Sequence, residues 1–155
     1  MILVIKINFM KKLFLIAIVF LSCVSVNAQD LEWGTNYKTV LQKAKSNKKP
    51  ILVYFSGSDW CKPCIMLKKD LFDNVAYKKL LLNYNLLYVD LPQNRDLVSE
   101  DQYNHNKGVM NQLNSKKKFP AVVILNRRGK EKDRISGYSG KDQLPYYIQF
   151  LNKEK

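Results

Sequence analysis

The amino-acid sequence predicts an α/β protein with a central mixed β-sheet of about four strands flanked by helices. Three features carry this expectation. Ile51-Leu52-Val53-Tyr54-Phe55 and Ala121-Val122-Val123-Ile124-Leu125 are unbroken apolar, β-rich runs, the pattern of strands covered on both faces. Segments with apolar residues at helical spacing lie before, between and after them. Asn126-Arg127-Arg128-Gly129 is a turn signature that folds the last strand back as a hairpin.

The chain has 155 residues, room for one ordinary domain with a short extension. Its first stretch reads as a targeting segment. Lys11 and Lys12 precede the apolar run Leu13–Leu21, and Val26-Asn27-Ala28 offers small residues for cleavage before Gln29. The run is well short of the roughly 20 residues that a membrane span requires. The expected organisation is a signal peptide over residues 1–28 and a single domain over residues 29–155. Met10 also reads as a start, which would make residues 1–9 an upstream extension. Membrane attachment would follow only from an uncleaved signal or from acylation of Cys23, whose preceding Phe20-Leu21-Ser22 is a poor match to a lipid-attachment box.

From there the elements follow in order. Tyr37, Val40, Leu41 and Ala44 mark a helix over 37–46, stopped by Asn47-Lys48-Lys49-Pro50. After strand 51–55, the loop Ser56-Gly57-Ser58-Asp59 leads to Trp60-Cys61-Lys62-Pro63-Cys64, which opens a helix turning Ile65, Leu67 or Lys68, Leu71 and Phe72 inward. Asp73-Asn74 restarts a helix through Val75, Leu80 and Leu81. Leu86–Leu91 is a second strand, Pro92–Glu100 is irregular, and 101–114 is a helix with Tyr103, Val109, Met110 and Leu113 inward. Strand 121–125, the turn, strand 130–135 and an amphipathic helix over 141–151 complete the order α-β-α-β-α-β-β-α.

Apolar residues make up 46% and charged residues 25%, a globular composition. The formal net charge is +13. Residues 29–155 keep 23 bases against 13 acids, scattered except at Lys116-Lys117-Lys118 and Arg127-Arg128. Such scatter is a solvated surface, and export with no interleaved aromatic motif argues against nucleic acid as a ligand.

The strand Ile51–Phe55, the Trp60-Cys61-Lys62-Pro63-Cys64 box, a strand ending at Asp90, Phe119-Pro120 before the strand Ala121–Leu125, and then Gly129 and Gly137-Tyr138 together resemble the thioredoxin superfamily. The similarity spans roughly residues 33–151, and its flavour is that of exported members with a Gly-Ser-Asp-Trp-Cys lead-in. The resemblance implies thiol–disulfide oxidoreductase activity on protein disulfides, an upstream redox partner that recharges the pair, and no cofactor. It implies Cys61 as nucleophile and Cys64 as resolving cysteine, with Trp60, Lys62, Pro63, Phe119 and Pro120 shaping the substrate groove or tuning the pair. It also implies a cis bond before Pro120. One departure stands out: thioredoxin has a buried Asp in the strand before its cysteines, and Tyr54 holds the matching place.

The chemistry fits the box. The thiolate is the reacting species, and an ordinary cysteine has a pKa of about 8.5. A helix N-terminus directs unpaired N–H groups and the positive dipole end at Cys61, lowering its pKa towards or below about 7.5. Lys62 acts in the same direction, and Pro63 suits a first turn. The assignment requires the Cys61 sulfur to be reachable.

Plainer roles compete. The pair could be a structural disulfide in a non-catalytic binding module, although so small a ring constrains the unfolded chain little. Zinc needs more ligands than the two cysteines and one histidine of residues 29–155. His105 reads as a surface residue, Asp59 as a loop or capping residue before a proton acceptor, and Asp90 as structural. Proline before the second cysteine resembles the reducing branches of the family, which inclines the reading to reductase or isomerase.

Overall fold

The computed structural model describes residues 31–153. The 1–28 segment and Cys23 lie outside the described residues. The elements are β1 (Trp33–Gly34), α1 (Tyr37–Asn47), β2 (Ile51–Ser56), α2 (Lys62–Leu67), α3 (Lys78–Leu81), β3 (Asn85–Asp90), α4 (Glu100–Leu113), β4 (Ala121–Leu125), β5 (Glu131–Ser136) and α5 (Leu144–Lys153). The helix of the cysteine box runs on through a π turn at Lys68–Phe72.

The strands form one mixed sheet in the order β1-β3-β2-β4-β5. β2 lies parallel to β3 and antiparallel to β4, so it sits at the centre. All six of its residues are buried, as are all five of β4, which is why both read as continuous apolar runs. Alternate residues enter opposite layers. Leu52, Tyr54, Val122 and Ile124 pack beneath α2 and α5, together with Leu67, Leu71 and Leu151. Ile51, Val53, Phe55, Val123 and Leu125 pack against α1 and α4 through Val40, Ala44, Val109 and Leu113.

The sheet has five strands rather than about four. Trp33 and Gly34 pair parallel with Leu86 and Leu87, and two residues are too few to display a period-2 pattern. β5 forms the opposite edge and carries Glu131, Lys132, Asp133 and Arg134 in succession. The hairpin before it turns at Gly129, whose φ of 83° is the left-handed conformation that glycine adopts without steric cost.

Three further expectations need adjustment. Ile65 does not face the core: it is 48% exposed, because Cys64, Leu67 and Leu71 take the buried stripe of that helix. His105 is half-buried rather than free on the surface, and its Nε2 accepts a hydrogen bond from the Tyr37 N–H at 3.1 Å, joining α4 to the start of α1. The restart near residue 73 is capped by Asn74 alone, through Oδ1 to the Ala76 N–H, while Asp73 pairs with Lys68 at 2.6 Å.

The contrast between Phe55 and Ile65 can be measured. Phe55→Ala opens the α1/α4 layer and is expected to cost about 3–5 kcal/mol in urea unfolding, whereas Ile65→Ala should stay within about 0.5 kcal/mol of the parent.

Candidate functional site

The site grows from the C-terminal ends of β2 and β3. Asp90 closes β3 and accepts from the Ser58 N–H (2.9 Å) and Ser58 Oγ (2.6 Å). Asp59 accepts from the backbone N–H groups of Gln93 (3.0 Å) and Asn94 (2.7 Å), which hold its carboxyl below the usual carboxylate range, the Asn94 bond contributing most. Both acids are therefore structural loop anchors.

Between these anchors Gly57 accepts from the Cys61 N–H at 2.9 Å and lies under the indole of Trp60. A Cβ at position 57 would come within 2.2 Å of that ring, so any other residue drives Trp60 off its seat. Sequence reasoning treated Gly57 only as loop. The glycine in the Gly-Ser-Asp-Trp-Cys lead-in was the available signal.

Trp60 is held at its edge, Nε1 donating to the Leu91 carbonyl at 2.9 Å, and in its plane by a T-shaped contact with Phe119 at 5.3 Å. Phe119 also packs against the cluster that contains both cysteines. The Phe119–Pro120 bond is cis, as the resemblance implied, and the Pro120 carbonyl accepts from the Gly137 N–H at 2.9 Å.

Cys61 is the N-cap of α2, and its Sγ accepts from the Cys64 N–H at 3.3 Å. Its carbonyl takes the next N–H groups, those of Cys64 (2.9 Å) and Ile65 (3.1 Å). Lys62, exposed, and Pro63 fill the first turn. The two cysteines are joined as a disulfide with Cα atoms 5.2 Å apart. Below the pair, Tyr54 donates through its hydroxyl to the Cys64 carbonyl at 2.8 Å. Burial pushes the Tyr54 phenol well above its ordinary pKa, so it remains a neutral donor where thioredoxin has an acid.

Access to the pair is narrower than expected. Cys61 is 4% exposed and Cys64 not at all. The Cys61 sulfur is turned onto its partner, bonded to the Cys64 sulfur and accepting from the Cys64 N–H. What surface remains belongs to Cys61, and its neighbour Trp60 is 40% exposed. A dithiol–disulfide couple can exchange electrons with another disulfide through a mixed disulfide.

Comparison with known proteins agrees with this geometry. Residues 37–152 match the family model of the thioredoxin-like domain. The chain is 29% identical over 111 residues to the disulfide bond reductase DsbH of Chlamydia pneumoniae, covering 71% of this chain and 65% of that protein. It is 28% identical over 124 residues to the thiol:disulfide interchange protein DsbD of Campylobacter jejuni, covering 77% of this chain and 19% of that one. It thus spans less than two thirds of the length of either relative. A solved structure described as DsbH oxidoreductase superposes with a TM-score of 0.69 at 26% identity, covering 84% of this chain and 90% of that one. With the cysteine box at the start of a helix, a cis proline before β4 and a family model covering residues 37–152, this chain belongs to the thioredoxin-like family.

Proposed function

We propose that this protein is an exported thiol–disulfide oxidoreductase that reduces or isomerises disulfides in protein substrates through Cys61 and Cys64. The observation that carries the reading is the Cys61–Cys64 disulfide at the start of α2, with Cys61 at the N-cap beside the half-exposed Trp60 and Cys64 fully buried three residues later. The similarity to proteins named disulfide reductase and thiol:disulfide interchange protein supports the same chemistry.

In the reducing direction the Cys61 thiolate attacks one sulfur of the substrate disulfide. A mixed disulfide forms, and the substrate's other sulfur leaves as a thiolate that takes a proton. Cys64 then loses its proton and attacks the Cys61 sulfur, which closes the internal disulfide and releases the second substrate thiol. Two electrons and two protons pass to the substrate. A dithiol donor protein upstream must return them. Trp60 and Phe119 form the apolar wall beside the reacting sulfur, and Pro120 presents its backbone edge to an extended substrate. Lys62 adds positive charge next to the thiolate, and Pro63 fixes the turn. Export rests on the basic, apolar and small-residue pattern of residues 1–28.

A second reading is favoured by one observation, the 4% exposure of Cys61. In it the domain binds a partner while the pair stays oxidised. Two measurements separate the two, and a third tests export. Cys61→Ser should abolish insulin reduction while Cys64→Ser accumulates a mixed disulfide; equal turnover by wild type and Cys61→Ser would end the enzymatic reading. In the reduced protein, iodoacetamide should modify Cys61 well before Cys64, with a midpoint at or below about pH 7.5. A Cys61 that reacts as an ordinary thiol would favour the binding module. Cell fractionation followed by N-terminal sequencing should find the mature chain outside the cytoplasm beginning at Gln29, and recovery of an intact N-terminus in the cytoplasm would refute export.

A further inference from the structure

An open groove of about 580 Å³ starts at the outer side of Trp60 and runs between the Leu91–Arg95 loop and α4. Its floor is apolar: Trp60, Phe119, Leu91, Pro92 and Met110. Its rim is cationic, with Arg95, Lys107 and Lys117, and among the described residues no carboxylate lines it. Asp59 lies in the neighbouring loop, but both its oxygens are taken by the Gln93 and Asn94 N–H groups.

The three cations are not equivalent. Arg95 is fixed, its guanidinium 3.2 Å from the Tyr103 ring centroid and 2.6 Å from Glu100, so part of its charge is already offset. Lys107 and Lys117 have no ion pair among the described residues, and both are exposed. Tyr103, Lys107 and Met110 recur at i, i+4 and i+7 on α4, which sets Lys107 on the groove face of that helix. Lys117 has φ of 49° in a tight turn whose N–H donates to the Asn114 carbonyl, while the buried Asn114 side chain bonds both the N–H and the carbonyl of Lys118. Its backbone position is thereby fixed at the mouth of the groove.

The geometry points to a substrate-selecting subsite: Lys107 and Lys117, with Arg95, receive an acidic segment bearing an apolar side chain, next to the disulfide that the same partner protein presents to Cys61. This rests on the exchange reading and deepens it. Continuity decides the kind of occupant. The groove shares Trp60 with the reacting pair, so a chain whose disulfide lies at Cys61 enters the groove within a few residues. A flat lipid surface would meet the rim and leave the aromatic floor empty. The apolar floor supplies area, and the free ammonium groups supply sign discrimination.

The test uses two peptides, each with one small disulfide loop, followed by Glu-Glu-Phe in one and Lys-Lys-Phe in the other. Hydroxyethyl disulfide serves as a neutral substrate, and dithiothreitol supplies the electrons. Wild type should prefer the acidic peptide in kcat/KM by about three- to tenfold at low salt, and the gap should close at high salt. The Lys107→Glu/Lys117→Glu variant should reverse the preference and leave hydroxyethyl disulfide reduction unchanged. Binding of a disulfide-free Glu-Glu-Phe peptide, followed by Trp60 fluorescence on the oxidised protein, should weaken in the same variant. Equal rates on both peptides, or a preference that the variant leaves intact, overturns the subsite. So does a variant that changes only attachment to phosphatidylglycerol vesicles. Retained charge-dependent peptide binding with no reduction of any substrate leaves the subsite standing and sinks the exchange reading instead.

Discussion

Asp90 ends β3, and its side chain and main chain each hold a different part of the site. Its carboxylate fixes Ser58, and its carbonyl accepts from the Asn106 side chain at 2.7 Å, so the loop before the cysteines and the helix beyond them share one anchor. Asp90 is 7% exposed and Asn106 only 2%, an environment in which a hydrogen bond left unmade costs on the order of 1–3 kcal/mol. The loop that leads into the pair follows from this constraint. The Ser58 loop sets Gly57, Gly57 seats Trp60, and Trp60 meets Phe119.

The parts of the fold legible in the sequence are those where burial is complete and local. β2 and β4 were readable because both faces of each are covered, so no polar residue interrupts either run. The cysteine box was readable because its spacing has few other uses in a chain with so few metal-ligating residues. What stayed hidden depends on partners distant in sequence. Trp33 and Gly34 become a strand only because Leu86 and Leu87 lie beside them. His105 acquires its role from the Tyr37 backbone, 68 residues away. Ile65 misled because a stripe narrowed by Cys64, Leu67 and Leu71 leaves no room for it. The burial of Cys61 is set by its bond to Cys64 and the packing around it, which spacing does not encode.

The replacement of an acid by Tyr54 changes what lies under the resolving cysteine. The Tyr54 ring lies 4.5 Å from Phe72 in a tilted contact and 5.6 Å from Tyr88, with Trp33 at 6.2 Å, forming an aromatic layer below α2. Burial raises the Tyr88 phenol to about 12 and that of Tyr54 higher still, so neither ionises near neutral pH. The layer holds the first turn of α2 through the Tyr54 hydroxyl bond to the Cys64 carbonyl and places a neutral phenol there.

The two margins of the sheet also bear on how another protein can approach. One is a strand of two residues, and the other is a row of four alternating charges. Neither is a long flat ribbon of unpaired backbone onto which a foreign chain could zip. Strand addition along either margin is thereby disfavoured.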